Sequence, residues 1–166
     1  MNDIREIVTK AIIAKGKKTI TLEEKFKPDV KAYSILGCWI INHEFEAIKN
    51  DNVVTITGEF EVNVWTSHNN NSKTDINRKK ITYQTDIVTK QIVTDFIENS
   101  EDVLARIIQH PTCTNAKIID DEIELDIVFQ IAAEVIGETK MQVTVFNQPE
   151  NWEPELENEI NEDFLK

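Results

Sequence analysis

The sequence is poor in the residues from which small catalytic and metal sites are usually built. Among its 166 residues are two cysteines, three histidines and four glycines. The glycines do not cluster, and the sequence contains no phosphate-binding loop, no G-x-S-x-G and no H-E-x-x-H motif. Two cysteines exclude a disulfide framework, so we expect Cys38 and Cys113 to be buried free thiols.

Long apolar runs and secretory features are also missing. No stretch approaches the roughly 18 apolar residues that a membrane-spanning helix needs, so no membrane insertion is predicted. The N-terminal residues 1–10 mix charged and apolar side chains, which is not typical of a secretory signal. We therefore expect the protein to fold in a cytoplasm.

Positive charge is scarce, because 30 acids outnumber 18 bases and give a net charge of −12. Nucleic-acid binding needs clustered Lys and Arg, so no nucleic-acid partner is predicted. Residues 147–166 contain seven acids and one Lys, and this asymmetry predicts an acidic C-terminal tail that binds partners. The candidate interaction residues of the tail are Trp152, Leu156, Ile160, Phe164 and Leu165.

Alternation of apolar and polar residues is the dominant pattern in the rest of the chain. Residues 53–65 and 118–146 alternate over long stretches, which is typical of half-buried antiparallel strands. Residues 35–48 and 79–88 are further strand candidates, and polar turns are predicted at 49–52, 67–75 and 119–122. The sequence therefore predicts a mainly β fold, an antiparallel β-sandwich-like domain.

Two segments deviate from this simple pattern. Apolar residues 103, 104, 107 and 108 follow helical spacing between Ser100 and Pro111, which predicts one short helix near 101–110. Residues 11–26 are rich in β-branched side chains and are predicted to form a hairpin that turns at Lys15–Lys18.

The domain organisation follows from these patterns. We predict a β-rich domain over residues 1–146, followed by the acidic tail over 147–166. A weak internal similarity allows a division of the domain into two similar subunits, about 1–92 and 93–146. Within the domain, Trp65 breaks the alternation of its strand and lies on the polar face, so we predict that it is a protein-interaction residue.

The cysteines and histidines do not form a recognisable site. Cys38 and His43 are separated by five positions, which places them on opposite faces of a regular strand unless a bulge intervenes. His110 and Cys113 have H-x-x-C spacing, but a structural zinc site needs about four ligands and no second motif exists. We predict no catalytic residue, no cofactor and no metal site. Two alternatives stay open: a small metal-dependent enzyme that uses His110 and Cys113, and a ligand-binding β-barrel.

Four blocks of the chain resemble one protein family. They are "EIVTKAIIAKGKK" (6–18), "SILGCWIINHEFEA" (34–47), the segment from "VTITGEFEVNVWTS" to "SKTD" (54–75), and "AAEVIGETKMQV" (132–143). Together they resemble the outer spore-coat morphogenetic protein E family, CotE, of endospore-forming Firmicutes.

The resemblance implies a noncatalytic scaffold. Such proteins are made in the mother-cell cytoplasm, deposited around the forespore and incorporated in the spore coat. They self-associate, link the basement layer to the outer coat and recruit outer-coat proteins. We therefore expect a homo-oligomer whose other partners are spore coat proteins of the basement layer and the outer coat.

Overall fold

The alternating segments form seven strands in the computed structural model, which describes residues 3–146. The strands are β1 (Asp3–Phe26), β2 (Ser34–Asn50), β3 (Val53–His68), β4 (Lys73–Val88), β5 (Lys90–Gln91), β6 (Asp102–Ile119) and β7 (Glu122–Val145). One sheet has four strands in the order β5-β1-β7-β6, and the other has three in the order β2-β3-β4. The prediction of a mainly β, antiparallel architecture is confirmed.

Asn and Asp residues make the predicted tight connections. Asp51 has a φ of 53° between β2 and β3, and Asp120 and Asp121 have φ values of 51° and 64° between β6 and β7. The loop between β3 and β4 uses positive φ at Asn69, Asn70 and Asn71. Asn and Asp tolerate this left-handed conformation better than other residues with side chains, which explains why the turns lie where polar residues cluster.

The core lies between the two sheets and contains the apolar residues of one parity. From β3 it includes Val54, Ile56, Phe60, Val62 and Val64, and from β7 Ile123, Leu125, Ile127, Phe129, Ile131, Ala133 and Val135. Each of these side chains is at most 1% exposed. Complete burial of a large apolar side chain stabilises a fold by about 1.5–3 kcal/mol, so these two central strands dominate the stability of the sandwich.

The prediction of a helix near 101–110 is wrong, because these residues belong to β6. Val103, Ala105 and Ile107 face inward beside Val135, Ala133 and Ile131 of β7. The adjacent apolar pairs in this segment satisfy a period of two as well as a helical period. Backbone pairing with β7 makes this segment a strand, because tertiary contacts override a weak local preference for helix.

The hairpin prediction for residues 11–26 is also wrong. β1 continues through Lys15–Lys18 as one strand, and Ala14 and Lys15 are paired with Gln91 and Lys90 of β5. Segment 11–26 is thus strand, as its β-branched residues indicate, but it does not turn.

The described residues divide into two compact units. Residues 9–139 form the unit that contains the core. Residues 3–8 and 140–146, the ends of β1 and β7, belong to the second unit, in which Ile4, Val8, Met141 and Phe146 are exposed. The predicted division near residue 92 stays a prediction, and the predicted tail at 147–166 lies outside the described residues.

Candidate interaction surface

A β-bulge in β2 places Cys38 and His43 on the same face. Ile41 is paired with Glu61 and Glu44 with Glu59, so β2 has one extra residue here, and Asn42 has a φ of 55°. The bulge shifts the inward set from Cys38 and Ile40 to His43, Phe45 and Ala47. The prediction that Cys38 and His43 lie on opposite faces is therefore wrong.

His43 is enclosed by aromatic rings. Its Nε2 lies 2.6 Å from the hydroxyl oxygen of Tyr83, and its ring centroid lies within 6 Å of those of Phe45, Phe60, Tyr83 and Phe129. Its Nδ1 is buried and has no hydrogen-bond partner among the described residues. Burial lowers the pKa of His43, and the nearby His110 lowers it further. The arrangement favours a neutral, half-buried imidazole that packs against the core residues Phe60 and Phe129.

His110 and Cys113 differ in exposure and in contacts on β6. His110 is exposed, whereas Cys113 is half-buried and its Sγ donates to the carbonyl oxygen of Asn115 at 3.3 Å. Among residues 3–146, no three His, Cys, Asp or Glu side chains come together in a way that could hold a metal ion. Burial raises the pKa of Cys38 on β2, and Cys113 on β6 raises it further.

The outer face of the three-stranded sheet carries a stacked aromatic pair, in which Trp39 is exposed and Trp65 is half-buried. The rings of Trp39 on β2 and Trp65 on β3 stack with centroids 5.8 Å apart and planes inclined by 21°. Gly37, which is paired with Trp65, makes room for this stack, since a Cβ at Gly37 would lie 2.6 Å from the Trp39 ring. Trp39 is 51% exposed. The predicted interaction residue Trp65 therefore lies on an outer surface, beside a second tryptophan.

Further apolar residues surround this pair. Leu36 is 57% exposed and Ile41 is 41% exposed, and Ile76 on β4 is paired directly with Trp65. We define the tryptophan patch as Leu36, Trp39, Ile41, Trp65 and Ile76. Stacked aromatic rings lose little side-chain entropy on binding, so such a patch is suited to contact another protein.

A charged band borders the tryptophan patch on the same face. Glu44 and Glu59 are directly paired across β2 and β3, and Lys80 on β4 lies 2.8 Å from Glu59. The side-chain hydrogen bond between Glu59 and Lys80 raises the pKa of Lys80. An apolar centre with a charged border is the usual anatomy of a protein–protein interface.

Of the residues in the tryptophan patch, only Trp65 was predicted from the sequence. Leu36, Trp39, Ile41 and Ile76 were missed, because their position on one surface depends on the strand register. One sequence feature could have identified Trp39: it is adjacent to Cys38, so if Cys38 faces the core, Trp39 faces outward. The predicted interaction residues Trp152, Leu156, Ile160, Phe164 and Leu165 lie outside the described residues.

No helix capable of spanning a membrane occurs in residues 3–146. Comparisons with curated proteins and with solved structures give no significant match. Residues 3–165 match the family described as outer spore coat protein E. Because this match covers nearly the whole sequence, the chain belongs to the outer spore coat protein E (CotE) family.

Proposed function

We propose that the protein is a noncatalytic scaffold that self-associates and directs assembly of the outer spore coat by binding other coat proteins. Family membership connects the chain with the outer spore coat. The observation that carries the finer proposal is the tryptophan patch, an exposed apolar surface on a well-packed sheet. Contiguous exposed apolar patches on proteins of this size commonly mark interaction sites.

A second copy of this chain is the proposed occupant of the tryptophan patch. Each aromatic side chain buries about 150–250 Å² when it is covered, so two stacked tryptophans provide a strong centre for an interface. The partly balanced charges of Glu44, Glu59 and Lys80 can form the rim. Contact between copies is opposed by the net charge of −12 on each chain.

This opposition predicts how salt affects self-association. Higher ionic strength screens the like charges, whereas it does not weaken an apolar contact. Raising NaCl from about 0.05 to 0.5 M, over which the Debye length falls several-fold, should therefore increase the average molar mass measured by light scattering. A decrease in molar mass over this range would show that ion pairs hold the copies together.

The remaining partners are other coat proteins of the basement layer and the outer coat. We propose that the acidic segment 147–166 binds such partners, because it combines seven acids with five large apolar residues. In this proposal the protein is made in the mother-cell cytoplasm and is then deposited in the coat. Residues 1–146 form the domain that self-associates.

Size-exclusion chromatography with light scattering tests the role of the tryptophan patch. Trp39→Ser and Trp65→Ser should each lower the average molar mass at a given concentration, because they remove the centre of the interface. Gln84→Ala is the matched control, since Gln84 is exposed on β4 of the same sheet but is paired with Thr57, away from the patch. Circular dichroism should show that all three variants retain the β-sheet spectrum.

Two results would contradict this proposal. One is a wild-type protein that is monomeric at every concentration. The other is an oligomer whose molar mass is the same in the wild type, the two tryptophan variants and Gln84→Ala.

A further inference from the structure

The edge strands β2 and β6 belong to different sheets and lie against each other within residues 9–139. Cys38 on β2 is paired with Val64 in one sheet, and Cys113 on β6 is paired with Ile127 in the other. Val64 and Ile127 are fully buried, and both cysteines pack against the core cluster. The two thiols therefore lie on the inner sides of two edge strands that contact each other.

A second pair of side chains supports this alignment. His43 on β2 is near His110 on β6, as the effect of His110 on the pKa of His43 shows in addition to the larger effect of burial. Along β2 the order is Cys38 and then His43, whereas along β6 it is His110 and then Cys113. Cys38 with Cys113 and His43 with His110 are thus two interacting pairs along the contact between β2 and β6.

We propose that Cys38 and Cys113 form an intramolecular disulfide that links the two sheets when the protein is exposed to a peroxide. Overall, two S–H bonds and the peroxide O–O bond break, one S–S bond forms, and two molecules of water are released. The thiols lose two electrons and two protons, and hydrogen peroxide accepts them. No backbone ladder joins β2 to β6 in the described residues, so this bond would cross-link two edge strands that are not hydrogen-bonded to each other.

The environment of the pair makes its reaction with peroxide slow near neutral pH. Burial raises the pKa of the Cys38 thiol to about 12, and the neighbouring Cys113 adds to this increase. Because the thiolate is the reactive form, Cys38 stays largely unreactive near neutral pH. Reducing systems of a cytoplasm keep thiols reduced, so the pair is expected to stay reduced there and to be oxidised by sustained exposure to peroxide.

Oxidation of the full-length wild-type protein tests the proposal. The reduced protein is freed of reductant, exposed to hydrogen peroxide under native conditions, and then denatured for thiol titration. Both thiols should be lost together, the protein should keep the mobility of a single chain on a non-reducing gel, and digestion should yield a reducible peptide pair with Cys38 and Cys113. The melting temperature should rise by roughly 5–15 °C over the reduced protein, because the bond closes a long loop.

Cys38→Ser and Cys113→Ser serve as controls, and each should abolish the rise in melting temperature on peroxide treatment. The comparison of oxidised with reduced wild type does not depend on the folding of these variants. Oxidation of either cysteine alone to sulfenic or sulfinic acid would contradict the proposal. Covalent dimers in place of the internal bond, or two intact thiols after prolonged exposure, would also contradict it. Neither the bond nor its test depends on self-association.

Discussion

Gly58 and Tyr83 show how single residues fit together in the interior of the three-stranded sheet. Gly58 is paired with Phe45 on one side and Tyr83 on the other. A Cβ at Gly58 would lie 2.5 Å from the Tyr83 hydroxyl oxygen, so the tyrosine ring occupies the space that a side chain would need. The same hydroxyl lies beside His43 Nε2, which connects Gly58 to the aromatic cluster.

Gly58→Ala should lower the free energy of unfolding by about 1–3 kcal/mol, because the added methyl group forces Tyr83 away from His43. Urea denaturation measures this change. Gly37→Ala is the matched control, since its methyl group would meet the exposed ring of Trp39, which can move into solvent. Gly37→Ala should lower the free energy of unfolding by no more than about 0.5 kcal/mol. Equal losses in the two variants would contradict the packing role of Gly58.

The lowered pKa of His43 predicts a pH dependence of stability. Its usual value is 6.5, and both folded and unfolded chains hold a neutral imidazole well above that pH. As pH falls below 6.5, the unfolded state takes up a proton that the folded state resists, so stability falls. The decline should continue until the lower, folded-state pKa is passed.

His43→Gln should therefore lose less stability than the wild type between pH 7.5 and about 5.5 in urea denaturation. Gln84→Ala is the control, because Gln84 is exposed on β4 and carries no titratable group. In this control, the free energy of unfolding should fall with decreasing pH as steeply as in the wild type. A wild-type slope in His43→Gln would show that other groups cause the pH dependence.

Among the strands, alternation of apolar and polar residues predicted most of the elements. Local irregularities such as bulges prevented the prediction of which residues face inward in the others. The parity of β3 and the first half of β7 could be read from the sequence, because one apolar face packs on the core while the other faces outward. A bulge has no such signature, and the one at Asn42 reversed the inward set of β2. The mutual placement of Trp39 and Trp65, and of Cys38 and Cys113, also depends on register and on contact between strands distant in sequence.

The bulge itself offers a test at this scale. Asn42 has a φ of 55°, which glycine adopts without strain and β-branched residues adopt poorly. Asn42→Val should lower the free energy of unfolding by about 1–2 kcal/mol, whereas Asn42→Gly should change it by under about 0.5 kcal/mol. Thermal and urea denaturation measure both variants. A Val variant as stable as the Gly variant would show that the bulge does not need this conformation.

At the scale of the whole molecule, the charge distribution separates the body from the C-terminal segment. Residues 147–166 carry half of the net charge of −12. Among residues 3–146, the cluster of buried core residues extends from Ile13 to Val135. We therefore expect the segment to contribute to binding and little to folding.

Deletion of residues 147–166 should leave the melting temperature within about 2 °C of the full-length value and weaken binding to purified outer-coat proteins. Isothermal titration calorimetry measures the binding. A full-length variant with serine at the five large apolar positions of the segment is the control, because it keeps the charge. If the serine variant binds normally, the charge of the segment is sufficient for binding. Unchanged binding by the truncated protein would contradict a role for the segment.

We propose that this chain builds larger assemblies by contacting copies of itself. Electron microscopy of the purified full-length protein tests it most directly. We expect ordered higher assemblies in the wild type that are lost in Trp39→Ser and retained in Gln84→Ala. Dispersed single particles in the wild type at every concentration and ionic strength would contradict it.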